Sequence, residues 1–370
     1  MRPRLTGRRA HLVPRRALLA SRRALLAPHL LFLIPELLMA AGPFVIQTVG
    51  GASRRAFRMP DFFYGGQALI EGVMMRGRTT VAMSVRPPNG EVQTYSEPLP
   101  AALQRGRWLK VPFVRGLFVL YETLVLGTRM LMRSAAIAAE GEDIAISRGM
   151  MVGTMIFSLG FAVAIFFVLP LFLSTFADAA TESDLLANVV EGVIRLGIFV
   201  AYIGLIGFMG DIKRVFAYHG AEHKAISAHE ADAPLTPTEV DRFSTAHTRC
   251  GTTFLLIVVV ISIFFFSLIP RAGVPLPLLF VSRIVLIPLI ASVAYELVRF
   301  GASHYGNAVV RAIYQPGLWL QSLTTRPPDH SMLEVSIASL ESCLAADRAA
   351  GSPDVEPTAD IVDPTAGVLP

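Results

Sequence analysis

Histidine, glutamate and cysteine residues are concentrated between Tyr218 and Phe254. Five of the ten His and Cys residues of the chain fall in this segment, namely His219, His223, His229, His247 and Cys250. His219, Glu222 and His223 form a His-x-x-Glu-His pattern. The mixture of small, apolar and charged residues predicts a helix over Phe216 to His229, which places the two imidazoles four residues apart on one face, with Glu222 beside them.

Two imidazoles and a carboxylate on one helical turn are suited to holding a divalent metal ion, as in the inverted zinc-peptidase pattern. Further donors follow, because His247 and Cys250 stand three residues apart before a hydrophobic run, and Glu230 supplies oxygen. The sequence therefore predicts a site for zinc or a similar ion with His219, His223, Cys250, His247 and Glu230 as candidate ligands. His229 is the least favoured ligand. The alternative for so short a pattern is a solvated helix face without a metal.

The composition indicates a membrane protein. Of the 370 residues, 53% are hydrophobic and only 16% are charged, which is too apolar for an ordinary soluble domain. The net charge of +5 comes mostly from the first sixty residues, so it bears on membrane orientation and does not indicate a nucleic-acid partner. The two cysteines are more than ninety residues apart and lie on segments that are assigned to the cytosolic side below, which argues against a disulfide scaffold and fits a reducing compartment.

Four apolar stretches are predicted to cross the bilayer: Met151–Phe176, Leu185–Gly210, Thr252–Pro270 and Pro275–Leu297. The connection after the first contains Asp178, Glu182 and Asp184 without Lys or Arg. The connection from Asp211 to Gly251 contains Lys213, Arg214, Lys224, Arg242 and Arg249, so the positive-inside rule places it in the cytosol. An even number of spans returns the regions before and after the bundle to the same side, where all candidate chemical residues can meet.

The predicted fold is an α-helical polytopic membrane protein with a small cytosolic α+β part and about four transmembrane helices. Residues 1–60 form an arginine-rich extension, interpreted as a signal anchor, a targeting segment or a stretch read from an upstream start, and we assign it no structural role. The remaining predicted regions are 61–149 (cytosolic or interfacial α+β), 150–210 and 252–300 (transmembrane hairpins), 211–251 (cytosolic His/Glu/Cys loop), 301–345 (cytosolic C-terminal segment) and 346–370 (disordered tail).

The region 61–149 is predicted to contain a hairpin and a long helix. Val81–Val85 and Glu91–Tyr95 flank a Pro-Pro-Asn-Gly turn. The apolar helix within Trp108–Glu140 carries several arginines, so it is predicted to lie in the membrane interface or on the hairpin, with a spanning helix as the alternative. Ahead of the hairpin, a glycine-punctuated segment carries Gln67 and Glu71, with Arg76 just beyond it. From residue types alone, these three indicate a turn with solvated side chains.

Charged residues inside the apolar stretches are predicted to pair locally. Glu191 and Arg195 stand four residues apart and are expected to form an intrahelical pair or to reach the membrane edge, and Glu296 and Arg299 are interpreted similarly. Toward the C-terminus, the segment beginning at Pro316 is predicted to be a loop, followed by an amphipathic helix over Ser331–Leu344 with a capping pattern at Ser331 and Glu334.

Four motifs together give a family resemblance: YGGQALIEGVMMRG from Tyr64, YHGAEHKAI from Tyr218, RCGTTFL from Arg249 and PGLWLQSLTTRPPD from Pro316. In this order they resemble the YqhQ-like family of bacterial membrane proteins, a domain of unknown function sometimes described as a predicted metal-dependent enzyme. The resemblance covers about Asp61 to Leu344. It implies that Gln67, Glu71 and Arg76 belong with His219, Glu222, His223 and Cys250.

The resulting hypothesis is a metal-dependent hydrolase at the cytosolic surface of the inner membrane. Glu222 or Glu71 would act as general base on a water at the metal, and Arg76 and Arg249 would orient an anionic group. The alternative is a non-catalytic scaffold or assembly factor whose cluster binds a structural metal or pairs internally. A transporter is disfavoured by the charge-free first and third spans. The expected partners are the bilayer and a membrane-proximal substrate, and homo-oligomerisation is left open.

Overall fold

The computed structural model describes residues 62, 64–99, 111–140, 148–178, 183–247, 250–305 and 307–351. The predictions made for the arginine-rich segment 1–60, for Glu182, for Arg249 and for the tail beyond residue 351 lie outside the described residues.

Four short strands form an antiparallel sheet in the order β1–β2–β3–β4. They are β1 (Gly65–Leu69), β2 (Gly72–Arg76), β3 (Thr80–Val85) and β4 (Gln93–Pro98). The predicted hairpin is confirmed, with Val85 opposite Gln93 and Val81 opposite Glu97. Its turn ends at Gly90, whose φ of 89° is a conformation that glycine adopts readily.

Helices make up most of the remaining described residues. They are α1 (Val114–Ala138), α2 (Arg148–Val163), α3 (Leu169–Asp178), α4 (Asp184–Ile206), α5 (Gly210–Glu230), α6 (Pro237–Val240), α7 (Gly251–Ser267), α8 (Leu276–Val285), α9 (Ile287–Ser303), α10 (Ala308–Thr324) and α11 (His330–Ala349). A π-helical turn, Ala164–Val168, joins α2 to α3.

Strands β1 to β3 direct alternate side chains to the two faces of the sheet, and most of these side chains are buried on both faces, whereas β4 is largely exposed. On one face, Ala68, Val73 and Met75 pack with residues of α5 and α11 such as Ala221 and Leu340. On the other face, Leu69, Met74, Val81 and Met83 pack against Leu126, Met130 and Leu131 of α1. The sheet therefore lies between α1 on one side and the α5–α11 pair on the other.

Among the described residues, three helical segments are long and apolar enough to cross a membrane by length and composition: Val152–Phe176, Asp184–Ile206 and Leu276–Gly301. They correspond to the first, second and fourth predicted spans. The third predicted span is also helical, but α7 has only 17 residues, which is at the lower limit for a spanning helix.

The long helix α1 contacts both the sheet and α9. The carboxylate of Glu296 on α9 accepts hydrogen bonds from the backbone N–H of Phe113, at 3.0 Å, and from the guanidinium of Arg115. Gly116 lies against Tyr295, where an added Cβ would be 3.0 Å from the tyrosine Cβ. Glu296 therefore joins two helices, in addition to any interaction with Arg299 on its own helix.

The C-terminal part differs from the sequence expectation in two ways. In the segment predicted as a loop from Pro316, residues 316–324 are the second half of α10, because Pro316 is accommodated inside that helix, whereas residues 325–329 lie outside the helices as predicted. Helix α11 is capped by Asp329, whose side chain accepts a hydrogen bond from Met332 N, so the predicted capping residue Ser331 was wrong. Helix α11 also continues to Ala349, beyond the predicted end at Leu344.

Candidate metal centre

Helix α5 carries the His-x-x-Glu-His pattern. Asp211 lies in its first turn, where a negative charge is favourable, and the helix ends at Glu230 before the Asp232–Ala233–Pro234 segment. The predicted helix over Phe216 to His229 is therefore confirmed and is longer at its N-terminal end. His219 and His223 lie one turn apart, with their ring centroids separated by 4.4 Å.

The thiol of Cys250 completes a triad with these two imidazoles. Cys250 Sγ lies 3.2 Å from His219 Nε2, and one donor atom from each of His219, His223 and Cys250 lies within 4.8 Å of the others. His223 and Cys250 are buried, at 2% and 5% exposure. The fold thus brings the imidazoles of α5 next to the thiol of a cysteine that lies 31 residues after His219 in the sequence.

Backbone carbonyls fix the orientation of both imidazoles. His219 Nδ1 lies 2.9 Å from the carbonyl oxygen of Thr324, and His223 Nδ1 lies 2.5 Å from that of Thr245. A carbonyl oxygen can only accept a hydrogen bond, so each Nδ1 carries the proton and each Nε2 presents a lone pair. A ligating histidine usually has its second nitrogen held in this way.

Cys250 is the residue immediately before helix α7. Its Sγ accepts a hydrogen bond from the backbone N–H of Thr252 at 3.4 Å and contacts the Thr252 hydroxyl at 3.3 Å. An anionic sulfur ligand at this position is favoured by the positive end of the helix dipole. The Arg-Cys-Gly-Thr-Thr motif thus provides both the donor and the helix start that orients it.

Glu222 is the acidic group adjacent to the triad. It is 5% exposed, its Oε1 accepts a hydrogen bond from the backbone N–H of Gly66 at 3.0 Å, and its Oε2 lies 3.6 Å from His223 Nε2. Gly66 permits this approach, since a Cβ there would be 2.9 Å from Glu222 Cγ and 2.4 Å from the carbonyl oxygen of Met74. Strand β1 therefore holds Glu222 through its backbone.

His247 and Glu230 form a second pair beside the triad. His247 Nε2 lies 3.6 Å from Glu230 Oε2, and the ring centroid of His247 is 5.5 Å from that of His223. Neither is among the three donors within 4.8 Å of one another. Burial lowers the pKa of His247 to about 4, and burial followed by the nearby His219 lowers the pKa of His223. Both imidazoles are therefore neutral at physiological pH, as metal binding requires.

The structure does not bring Gln67, Glu71 and Arg76 to the triad. Arg76 donates hydrogen bonds to Glu122 on α1, at 2.8 and 3.1 Å. Gln67 follows Gly66 on β1, so its side chain points to the opposite face of the sheet, the face that α1 covers. Glu71, with φ of 53°, lies in the β1–β2 turn and accepts hydrogen bonds from Arg214 at 2.5 and 2.6 Å. His229 packs edge-on against Tyr64, with ring centroids 5.2 Å apart.

Several residues that support the site were not singled out from the sequence. Gln321 on α10 binds the backbone of His247 with both amide atoms, at 2.9 Å to its N–H and 2.8 Å to its carbonyl. Thr324 and Thr245 act through carbonyl oxygens, so no side-chain type could reveal them. The one available signal was the placement of Gln321 and Thr324 inside the PGLWLQSLTTRPPD motif, which was interpreted as a loop.

Comparisons with known proteins agree on one family. The family described as "Protein of unknown function (DUF1385)" matches residues 111–346. A protein of Bacillus subtilis (strain 168) described as "Uncharacterized protein YqhQ" is 30% identical over 294 residues, which cover 76% of this chain and 92% of that protein. No solved structure matches. The chain therefore belongs to the DUF1385 family of YqhQ-like proteins, as its four motifs predicted.

Proposed function

We propose that this protein is a metal-dependent hydrolase of the cytoplasmic membrane, in which His219, His223 and Cys250 hold a divalent cation at the cytosolic surface. One observation carries the proposal. Both imidazoles donate Nδ1–H to backbone carbonyls, at 2.9 and 2.5 Å, and the Nε2 atom of His219 faces a thiol at 3.2 Å. Side chains that merely pack in a core do not need their tautomers fixed and their lone pairs convergent.

The donor set fits zinc best. Imidazole nitrogen and thiolate sulfur are both favourable zinc ligands, whereas magnesium and calcium prefer oxygen ligands throughout. Catalytic zinc sites typically use three protein ligands and leave the fourth position for water or substrate. Three donors lie within 4.8 Å of one another in the described part of the chain, which supports a catalytic rather than a closed structural site.

A bound divalent ion would act as a Lewis acid toward a carbonyl or phosphoryl oxygen of the substrate. Glu222 is the proposed general base. Its Oε1 is held by Gly66 N–H at 3.0 Å, and its Oε2 faces His223 at 3.6 Å, so the carboxylate is oriented and close to the donor cluster. Burial of Glu222 and His223 limits competing water around the reacting groups.

The arrangement of helices supports a position at the inner membrane surface. Cys250 immediately precedes α7, and α5 follows the end of α4 after Gly207–Met209, so the triad lies at one end of the apolar bundle. With α7 counted as a fourth span, the sheet, α5 and α11 lie on the same side of the membrane. The positive-inside rule assigns this side to the cytosol, because the segment between α4 and α7 is rich in lysine and arginine.

Elemental analysis of the purified full-length protein tests metal binding. We expect about one zinc per chain, and we expect His223→Ala and Cys250→Ser to lower the zinc content at least about tenfold. His330→Ala, at an exposed position on α11, should keep the metal. Stoichiometric zinc in the His223→Ala and Cys250→Ser proteins would contradict the proposed ligands.

Hydrolysis is tested separately with liposomes that contain ester, peptide and phosphodiester substrates. We expect Glu222→Gln to retain zinc but to lose at least about a hundredfold in rate. Metal binding with no Glu222-dependent turnover of any substrate class would favour the second candidate, a scaffold with a structural metal. The pair of His247 and Glu230 beside the triad supports that candidate, since either could complete a closed coordination shell. X-ray absorption at the zinc edge distinguishes four protein ligands from three plus oxygen.

A further inference from the structure

The apolar bundle contains a buried ionic cluster centred on the carboxylate of Glu191. Arg195, Arg271 and Arg283 each donate hydrogen bonds to this carboxylate, with closest distances of 2.5, 2.8 and 2.8 Å. The side chain of Glu191 is 0% exposed, and those of Arg195 and Arg283 are 4% and 0% exposed. The predicted pair with Arg195 is confirmed, and Glu191 also pairs with Arg271 and Arg283, which lie outside its own helix.

The cluster lies at the opposite end of the bundle from the metal centre. Ser262 and Phe266, which contact the arginines, are near the end of α7, whereas Cys250 precedes its first residue. The twelve residue steps from Cys250 to Ser262 correspond to roughly 18 Å along a helix. Any ligand of this cluster is therefore separate from the proposed metal, and neither proposal depends on the other.

A π-helical turn provides a backbone hydrogen-bond acceptor for Arg195. Arg195 Nε donates a hydrogen bond to the carbonyl oxygen of Phe166 at 2.9 Å, and Phe166 lies in the π-helical turn Ala164–Val168. Such turns are rare in proteins as a whole, but those that occur are often found at functional sites. The ring centroid of Phe266 lies close to two guanidinium groups, 4.8 Å from that of Arg195 and 4.7 Å from that of Arg283.

The charges and hydrogen bonds of Arg195 and Arg283 are incompletely matched. These two cations share one carboxylate, that of Glu191. Their other partners in the described part of the chain are neutral: Phe166, Ser262, Asn188, Ser282 and the rings of Phe167 and Phe266. A guanidinium has five N–H groups. With the described residues, Arg195 makes three hydrogen bonds and Arg283 makes four, so each guanidinium has N–H groups beyond these bonds.

Surplus positive charge is unstable when it is buried among apolar helices, and an arginine does not lose its proton to relieve it. We propose that this cluster, defined by Glu191, Arg195, Arg271 and Arg283, binds an oxyanion of the phosphate class. Guanidinium groups recognise phosphate oxygens with paired, directional hydrogen bonds. Arg271 lies in the connection between α8 and the preceding helix α7, at the end of the bundle, so the cluster begins where a lipid phosphodiester or a soluble phosphate arrives.

The full-length protein in a neutral detergent provides the test. Its apparent melting temperature is measured in one arm against inorganic phosphate and in the other against added phosphatidylglycerol, with phosphatidylcholine as the reference lipid. Native mass spectrometry counts the bound lipid. We expect the melting temperature to rise in one arm, and that arm identifies the source of the phosphate group.

Two substitutions separate an anion site from a structural ion network. Arg283→Gln should reduce the apparent affinity for the phosphate ligand at least about tenfold. Glu191→Gln removes the competing carboxylate and keeps all N–H donors, so it should increase that affinity by about tenfold. Arg129→Gln, at an exposed position on α1, is the matched control and should behave like the wild type.

The outcome that overturns the proposal is specific. A structural network predicts that Glu191→Gln unfolds at lower temperature and that neither phosphate nor phosphatidylglycerol restores it. Equal responses of the wild type, Arg283→Gln, Glu191→Gln and Arg129→Gln in both arms would also overturn it, as would the absence of any response in the wild type. Restoration of the Glu191→Gln protein by one of the two ligands supports the proposal even where Arg283→Gln fails to fold.

Discussion

The backbone N–H of Gly66 donates a hydrogen bond to Oε1 of Glu222 at 3.0 Å, across 156 residues of sequence. This contact connects the first motif of the chain to the candidate metal centre. It is made by the backbone of a glycine. The side chains of Gln67, Glu71 and Arg76, which are the site residues predicted in that motif, do not make it.

Substitution of Gly66 by alanine should disturb Glu222. An added Cβ would be 2.4 Å from the carbonyl oxygen of Met74 and 2.9 Å from Glu222 Cγ, and neither the strand nor the buried carboxylate can move freely. We expect a loss of about 2 kcal/mol in unfolding free energy and a loss of Glu222-dependent turnover. Gly204→Ala is the control for thermal unfolding in detergent, because no atom lies within 4 Å of a Cβ at Gly204. Equal effects of both substitutions would contradict the role of Gly66.

Gln321 should affect the zinc affinity of the proposed site, although it is not one of the proposed ligands. Replacement of Gln321 by methionine keeps the side-chain volume but removes the two hydrogen bonds to the His247 backbone. These hydrogen bonds position the segment that leads to Cys250. We expect zinc affinity to fall about 10- to 100-fold, measured by competition with a chelator. Ser322→Ala, at the next residue on the exposed side of α10, should leave the affinity unchanged. Wild-type affinity in Gln321→Met would show that α10 only packs against the site.

Asp347 should contribute strongly to stability. Its carboxylate is 0% exposed and accepts hydrogen bonds from Tyr64 Oη at 2.8 Å, from Arg78 N at 2.9 Å, from Thr79 N at 3.0 Å and from Thr79 Oγ1 at 2.7 Å. Asp347→Ala removes the shared acceptor of one buried and three partly buried donors, so we expect a loss of about 3 kcal/mol or more. Tyr64→Phe removes a single hydrogen bond and should cost about 1 kcal/mol.

The buried thiol of Cys343 provides the measurement for the Asp347 variants. It is 0% exposed, and burial raises its pKa to about 12, so it reacts with maleimide only when the α11 region opens. In a Cys250→Ser background, labelling of Cys343 should be much faster in Asp347→Ala than in Tyr64→Phe. Similar rates in both proteins would contradict a central role for the carboxylate.

His229 should make stability depend on pH. Burial lowers the pKa of the His229 imidazole, whereas the unfolded chain takes up this proton near its ordinary pKa of about 6.5. The unfolded state therefore binds more protons below that pH, and stability falls as the pH decreases. We expect His229→Gln to lose part of the decrease in melting temperature between pH 7.5 and 5.5. His330→Gln, at an exposed position, should follow the wild type, and an unchanged slope in His229→Gln would refute the prediction.

Single cysteines should report the proposed membrane orientation. Ala272→Cys, in the exposed connection between α7 and α8, should react with a membrane-impermeant maleimide in intact cells. Thr238→Cys, in the exposed segment between α5 and α7, should react only after permeabilisation. Cys250 and Cys343 are buried, so the wild type supplies a low background. Reaction of both introduced cysteines from the same side would exclude α7 as a spanning helix.

The sequence alone determined the elements that local pattern controls. Largely apolar stretches of sufficient length predicted the bundle helices, because a helix needs about twenty mostly apolar residues to cross a bilayer. The four-residue spacing of His219 and His223 predicted two imidazoles on one helical face, and the turn residues after Val85 predicted the hairpin. The four motifs together predicted the family. In each case the information lies within a few neighbouring residues.

Only the tertiary structure decided which distant groups meet. The direction of Gln67 and Arg76 toward α1 depends on strand register, since a shift by one residue would turn them to the other face. The carbonyl oxygens of Thr324 and Thr245 select the histidine tautomers, yet every residue has a carbonyl, so no side-chain pattern identifies them. Arg271 and Arg283 reach Glu191 because α7 and α8 pack beside α4, and packing of this kind depends on long-range complementarity that spacing along the chain does not encode.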